Sequence, residues 1–285
     1  MTAVSVVYVG SEASFSHAVL DGLLTADCLD IRAVVLNKKS EQSDEFRIKQ
    51  NSAMAVRAKS LGLPMLSFDA HADSTFARQL RKISPQLIIV GCFGCRIPQW
   101  MTETASIAGM NVHPSLLPRY RGPDPLFWQF RQAEMETGVS IHCLSEELDA
   151  GDLFASNPVT LPRNCKIQDA EVLLASTATN WLSALNYKAG RLASWKQVPA
   201  DASQQCWPSL NDYVVHTSWS ATRAAGFISA TASRVAFHRI TGSGVNLVCR
   251  SVAEVNESDC LTELLTTRDG VTRVAFNPGY LDIVS

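Results

Sequence analysis

Asn111 and His113 stand two residues apart in Met110-Asn111-Val112-His113, and Asp149 follows 36 residues after His113 within Leu148-Asp149-Ala150-Gly151-Asp152. The three supply an amide donor, an imidazole and a carboxylate, with no serine or cysteine nucleophile needed among them. Alternate residues of a strand point to one face, roughly 6.6 Å apart. A strand ending at His113 would therefore turn Asn111 and His113 into one pocket. The turn Pro114-Ser115-Leu116-Leu117-Pro118 then leads the chain away, which puts the pocket at a strand end, where open α/β sheets bind small ligands. An amide N–H aimed at a developing oxyanion is worth about 2.7–4 kcal/mol. An imidazole moving a proton between attacking and leaving atoms adds ~10²–10⁴-fold. A carboxylate orients that imidazole, or a bridging water, and stabilises its protonated form. This is the chemistry of acyl-type transfer, and these side chains alone could serve several such reactions.

The elements that must hold this trio alternate. Apolar runs at 4–9, 31–36, 64–68, 86–91 and 109–113 read as strands, and three- and four-residue apolar spacing at 17–24, 52–61 and 74–82 reads as helices. Repeated βα units imply a mostly parallel sheet covered on both faces, a Rossmann-like α/β fold. After the Asn-x-His stretch, 138–144 reads as a further strand and 170–187 as a long amphipathic helix that closes a catalytic domain over 1–195. Residues 196–211 are polar with two prolines and read as a linker. From 212 to 285 the texture changes. A helix at 217–229 precedes strand-like runs at 234–240, 245–252, 261–267 and 271–276, separated by Gly and Asp-Gly turns, which suggests a small β-barrel.

Extended over its neighbours, the stretch resembles the folate-dependent formyltransferases. The resemblance rests on Asn111-x-His113-x-Ser115-Leu116-Leu117-Pro118, on Tyr120-Arg121-Gly122 and Pro125-x-x-Trp128, and on Leu148-Asp149-x-Gly151-Asp152. It covers about residues 4–190 well and the rest faintly. It implies the formyltransferase fold with an OB-like C-terminal domain, 10-formyltetrahydrofolate as formyl donor, no metal, and direct attack by an amine without a covalent intermediate. Asn111 would then face the oxyanion, His113 would handle the proton, and Asp149 would be the catalytic aspartate, with Asp152 shaping its loop. Folate would be held by main-chain groups of Gly94, Cys95, Arg96 and Ile97 and of the segment Leu144, Ser145, Glu146, Glu147 and Leu148. On the acceptor side, Ser115 either touches the formyl group or caps local backbone. Arg121 either binds an anionic acceptor or pairs with a loop carboxylate. Asp124 would recognise a cationic or hydroxylated amine. Trp128 reads as core packing and His142 as a structural mid-strand residue.

Composition bears on the acceptor. Residues 206–285 contain six Arg, no Lys and seven Asp plus Glu, a formal −1, and residues 1–205 carry 19 basic and 20 acidic residues, also −1. Binding of tRNA leans on Lys and Arg against phosphates, so a small-molecule amine is expected: an amino sugar nucleotide or an amino acid-type intermediate. Methionyl-tRNA formyltransferase is the alternative, and a formyltetrahydrofolate hydrolase, with water as acceptor, the remoter one. The mixed-charge segment 38–49 reads as a solvated loop. Eight scattered cysteines read as reduced thiols, with Cys92-Phe93-Gly94-Cys95 lining the folate loop rather than holding metal. No apolar run is long enough to span a bilayer, and residues 1–14 lack a basic leader with a cleavage site. A cytosolic enzyme is expected, and a homodimer is compatible.

Overall fold

The computed structural model describes residues 3–37, 53–69, 74–190, 192–259, 261 and 263–284. The loop expected at 38–49, His71 and Cys260 lie outside them. In chain order the elements begin with β1 (Val4–Gly10), α1 (Ser14–Leu24), β2 (Leu29–Asn37), α2 (Ala53–Ser60), β3 (Met65–Phe68), α3 (Ser74–Ile83) and β4 (Leu87–Gly91). They continue with α4 (Gln99–Thr102), β5 (Ala108–His113), α5 (Pro125–Arg131), β6 (Glu136–Cys143), β7 (Leu153–Thr160) and α6 (Ile167–Ala184). Last come β8 (Val215–His216), α7 (Ala221–Thr231), β9 (His238–Gly242), β10 (Val245–Cys249), β11 (Ser251–Asn256), β12 (Leu265–Arg268), β13 (Val271–Ala275) and β14 (Tyr280–Val284).

Two compact units share these elements. The first comprises Met1–Arg121, Gly138–Val159 and Glu171–Gln204, and the second Gly122–Thr137, Thr160–Ala170 and Gln205–Ser285.

The first unit is built on the expected mostly parallel sheet, with strand order β3-β2-β1-β4-β5-β6-β7. The pairs β3–β2, β2–β1, β1–β4 and β4–β5 are parallel, and β6 runs antiparallel to β5. Helices cover both faces, so central strands read as unbroken apolar runs; every residue of β4 is buried. Val7, Val9, Ile88 and Val90 pack with Phe68, Phe76, Leu80 and Met101. Burying such side chains contributes about 1.5–3 kcal/mol each. Between the ends of β1 and β4 lies Tyr8, whose hydroxyl donates to the Ser16 carbonyl at 2.7 Å. A Cβ at Gly10 or Gly91 would come within 2.6 Å of the Tyr8 side chain, so both strand ends must be glycine for the ring to lie there. Desolvation drives the Tyr8 phenol pKa up, and it stays neutral.

The loop leaving β4 is pinned by aromatic contacts. Phe93 meets Phe68 edge-on at 5.7 Å and Trp100 meets Phe76 at 6.0 Å. Cys95, Ile97 and Leu144 rest partly buried on the same core, so the loop stands on the sheet's carboxyl edge as a fixed wall.

In the second unit α5 and α7 join through Phe127 and Phe227, with ring centroids 5.5 Å apart. The C-terminal β region forms two sheets, β10-β9-β8 and β11-β14-β13-β12. Pairing in the four-stranded sheet is antiparallel throughout.

Candidate active site

β5 ends at His113, and the antiparallel register sets Asn111 opposite His142 and His113 opposite Ser140. The loop after β6 brings Asp149 back over this strand end, where it is 7% exposed with a φ of 54°. Asn111, His113 and Asp149 are therefore brought together, and His142 joins them. The Asn111 amide donates from Nδ2 to His142 Nε2 at 3.1 Å and to Asp149 Oδ1 at 3.4 Å. Both neighbours accept, which fixes the amide orientation.

Hydrogen bonds decide both tautomers. His113 Nε2 lies 2.8 Å from the Tyr120 carbonyl oxygen, which can only accept, so the proton of the neutral ring sits on Nε2. Its Nδ1 lone pair then faces Asp149 Oδ2 at 3.7 Å. His142 Nδ1 donates to the Cys143 carbonyl at 2.9 Å, leaving Nε2 as the acceptor for Asn111. Desolvation of the buried His113 ring lowers its pKa below 6.5 and outweighs the upward pull of Asp149. The resting cluster is thus a neutral imidazole with a bare Nδ1 beside a carboxylate, an arrangement able to accept a proton and then stabilise the cation formed.

The loop carrying Asp149 is clamped from two sides. Gly151 approaches the β6 end so closely that a Cβ would lie 1.8 Å from the Cys143 carbonyl oxygen. On the other side Gln197, 8% exposed, donates from Nε2 to the carbonyls of Asp149 and Gly151, each at 2.8 Å. Its Oε1 accepts from Arg121 Nε at 3.2 Å and Nη2 at 2.7 Å, and Arg121 Nη1 reaches Glu147 at 3.1 Å. Nearby, Ser203 accepts from the Tyr120 amide through Oγ at 2.8 Å and from the Arg121 amide through its carbonyl at 2.9 Å.

A cavity of about 770 Å³ is lined by Arg96, Ile97, Pro98, Gln99, Thr102, Glu103, Leu144, Ser145 and Glu146, and by none of Asn111, His113, His142 and Asp149. Arg96 and Ile97 come from the β4 loop, and Leu144, Ser145 and Glu146 from the loop after β6. Gly94, Cys95, Glu147 and Leu148 are not among its lining residues. Neither Cys92 nor Cys95 is in a disulfide, and the Cys95 sulfur accepts from the Asn37 amide at 2.9 Å.

The acceptor-side residues have internal partners. Ser115 is fully buried and donates to the Arg119 carbonyl at 2.7 Å, the backbone-capping arrangement. Arg121 makes the loop contacts given above. Asp124, in the second unit, pairs with Arg234 at 2.5 Å. Trp128 is half-buried and donates to the Cys206 carbonyl at 2.9 Å.

His142, expected as a structural mid-strand residue, stands against Asn111, and Gln197, expected in a linker, is buried against the Asp149 loop. The signal for His142 was its position mid-strand, on the partner strand of β5; for Gln197 the sequence offers none. Among the described residues no helix is long and apolar enough to cross a membrane.

This fold and cluster define a class. The family model described as formyl transferase matches residues 4–183, and the chain belongs to that family. Among curated relatives, the methionyl-tRNA formyltransferase of Syntrophus aciditrophicus is 32% identical over 215 residues, covering 75% of this chain and 65% of the relative. That of Lysinibacillus sphaericus is 31% identical over 157 residues, 55% of this chain and 49% of the relative. The matches thus span about half to two thirds of those relatives. Solved structures share the fold along the whole chain. An N-formyltransferase from Helicobacter canadensis, crystallised with folinic acid and dTDP-3-aminofucose, superposes with a TM-score of 0.67 at 13% identity, covering 98% of each chain. WlaRD, a sugar 3N-formyltransferase, gives 0.67 at 13%, covering 99% of this chain and 97% of its own.

Proposed function

We propose that this protein transfers the formyl group of 10-formyltetrahydrofolate to an amine of a small molecule, an amino sugar nucleotide or an amino acid-type intermediate. The observation that carries this reading is the buried cluster in which the bare Nδ1 of His113 faces Asp149 at 3.7 Å. The donor suits the cavity between the β4 loop and the loop after β6, whose volume falls within the roughly 300–1,000 Å³ of small-molecule sites. Ile97, Pro98 and Leu144 offer apolar walls there, with main-chain and polar groups of Arg96, Ser145 and Glu146 between them. Gly94 and Cys95 would continue the β4 wall, and Glu147 and Leu148 the opposite one. When bound, the donor supplies an activated formyl carbon.

The chain's own groups act as follows. His113 Nδ1 takes the proton of the attacking amine as the new C–N bond forms and returns it to the leaving folate nitrogen as the formyl–nitrogen bond breaks. The resulting imidazolium is held between the Tyr120 carbonyl and the Asp149 carboxylate, so proton uptake is favoured at the moment of attack. Of the two Asn111 donor bonds, the one to Asp149 at 3.4 Å lies beyond the usual N–H···O range. That N–H is therefore the one to turn toward an oxyanion. The second imidazole, His142, holds Asn111 in place. Ser115 and Arg121 would contact substrate only by giving up or sharing their internal bonds, so their part is to shape the acceptor side; Asp124 is held by Arg234 within the second unit.

The small acceptor is supported by end-to-end agreement with two structures whose names give sugar or N-formyl transfer, and by the lysine-free stretch after Lys196. Methionyl-tRNA is the second reading, favoured by the higher identity to the tRNA enzymes. A turnover assay decides between them with three acceptors, charged initiator tRNA, amino-sugar nucleotides and amino acid-type amines, beside a control with no acceptor. Formylation of a small amine supports the proposal. Formylated methionyl-tRNA, or formate released without acceptor, overturns it. His113→Ala and Asp149→Asn should each lose most transfer while still binding the donor.

A further inference from the structure

Residues 195–204 lie beyond the matched motif, yet they bond the backbone of Asp149 and that of Tyr120, whose carbonyl meets His113. Trp195 pairs with Leu153 as an isolated bridge, and Lys196 reaches Asp152 at 2.9 Å. Gln197 is next, and its amide has no spare valence: two N–H groups go to two carbonyls, and the oxygen takes two guanidinium donors. Those acceptors and donors admit only one amide orientation. Six residues on, Ser203 holds the Tyr120 amide through its hydroxyl and donates its own amide to the Pro118 carbonyl at 3.1 Å. The Tyr120 carbonyl that sets the His113 tautomer belongs to the next peptide, whose Arg121 amide donates to the Ser203 carbonyl at 2.9 Å. One short strap therefore fixes the backbone at Asp149 through Gln197 and the backbone at Tyr120 through Ser203.

We infer that this strap positions the proton-handling pair, with Gln197 as the residue that sets where Asp149 stands relative to His113. Two features favour positioning over plain packing. Gln197 bonds to the carbonyls of Asp149 and Gly151, which bracket the turn where Asp149 adopts positive φ. Arg121 also ties the same loop at Glu147, so the loop is held at three points by one Arg–Gln pair. Gln197 touches no reacting atom and acts through Asp149. The inference rests on the proposed role of His113 and Asp149, and one arm of its test does not need that role.

The first arm follows the His113 imidazole by NMR in the wild type, in Gln197→Met, which keeps volume and removes every hydrogen bond, and in Asp149→Asn. Gln197→Met should lower the His113 pKa further, in the direction of Asp149→Asn, because the carboxylate that raises it has moved away. Ser203→Ala, a milder change, removes the hydroxyl bond to the Tyr120 amide and should loosen Tyr120 enough to weaken the preference for the Nε2–H tautomer. It keeps the test open if Gln197→Met does not fold. The second arm measures formyl transfer from 10-formyltetrahydrofolate. Gln197→Met should cost roughly 10–100-fold in kcat with little change in donor KM, since misplacement of about 1 Å costs rates of that order. In an Asp149→Asn background the same change should cost little more. The inference is overturned by a His113 titration and tautomer unaltered in both variants, or by Gln197→Met and Asp149→Asn losses that simply multiply. If the wild type transfers no formyl group, the functional reading fails while the NMR arm still decides the strap.

Discussion

Gly151→Ala tests how much the cluster depends on the loop that carries Asp149. A Cβ at 151 would lie 1.8 Å from the Cys143 carbonyl oxygen, whereas real Cβ contacts essentially never fall below 3.0 Å. The two segments must therefore part by about 1.2 Å, the difference between those distances. Cys143 ends a strand of the sheet and its carbonyl also accepts from His142 Nδ1 at 2.9 Å, so the loop, held by the Arg121 and Gln197 side chains, is the side that yields. Asp149 sits two residues away and would be carried with it, widening its 3.7 Å approach to His113 Nδ1. A displacement of about 1 Å at a reacting group costs on the order of 10²-fold in rate, equivalent to about 2.7 kcal/mol. Overpacking should also destabilise the fold by about 1–3 kcal/mol. The assay is steady-state formyl transfer well below the unfolding midpoint, with thermal unfolding measured on the same samples. The reasoning fails if Gly151→Ala unfolds at a lower temperature yet turns over at the wild-type rate, for the position of Asp149 would then not matter.

Three further outcomes are expected. Because burial holds the His113 pKa below 6.5, its base form persists below that pH, and the acid limb of kcat/KM should lie under 6.5 rather than at it. His238, 1% exposed, has its pKa lowered to about 4 by desolvation, so the unfolded chain binds more protons between 6.5 and 4. Stability should then fall as pH drops through that window, by up to about 3 kcal/mol, and denaturant midpoints at pH 7 and pH 4.5 should lose this slope in His238→Phe. Gly226, inside α7, has nothing within 4 Å of a built Cβ, so Gly226→Ala should stabilise the protein by about 0.5–1 kcal/mol in thermal unfolding.

The parallel half of the fold is legible in the sequence because buried strands and amphipathic helices alternate with clear periods, and the observed strand limits fall within two residues of those expected. Elements that break their own pattern are not legible. β7 carries Asn157 and Pro158, which argue against a strand, and α5 is a single short helix opened by Pro125. Residues 245–252 read as one strand, yet the chain turns at Arg250 and sends β10 and β11 into different sheets. An alternating pattern carries no mark of such a change. At the site, Asn111, His113 and Asp149 stand in a motif. His142 depends on strand register, which one strand's sequence does not state. Gln197 depends on a polar side chain being buried, and in a polar, proline-bearing stretch it looks like any solvated residue.

The strap has a consequence for modularity. The family match ends at residue 183, whereas the first compact unit runs on to Gln204. A recombinant fragment or chimera joined near residue 183 would keep every letter of the signature and discard Gln197 and Ser203. Exchange of C-terminal regions among relatives is therefore constrained within the 196–211 stretch that composition reads as a linker. A seam after residue 204 keeps the strap with its motif but divides the second unit, which also takes in 122–137 and 160–170.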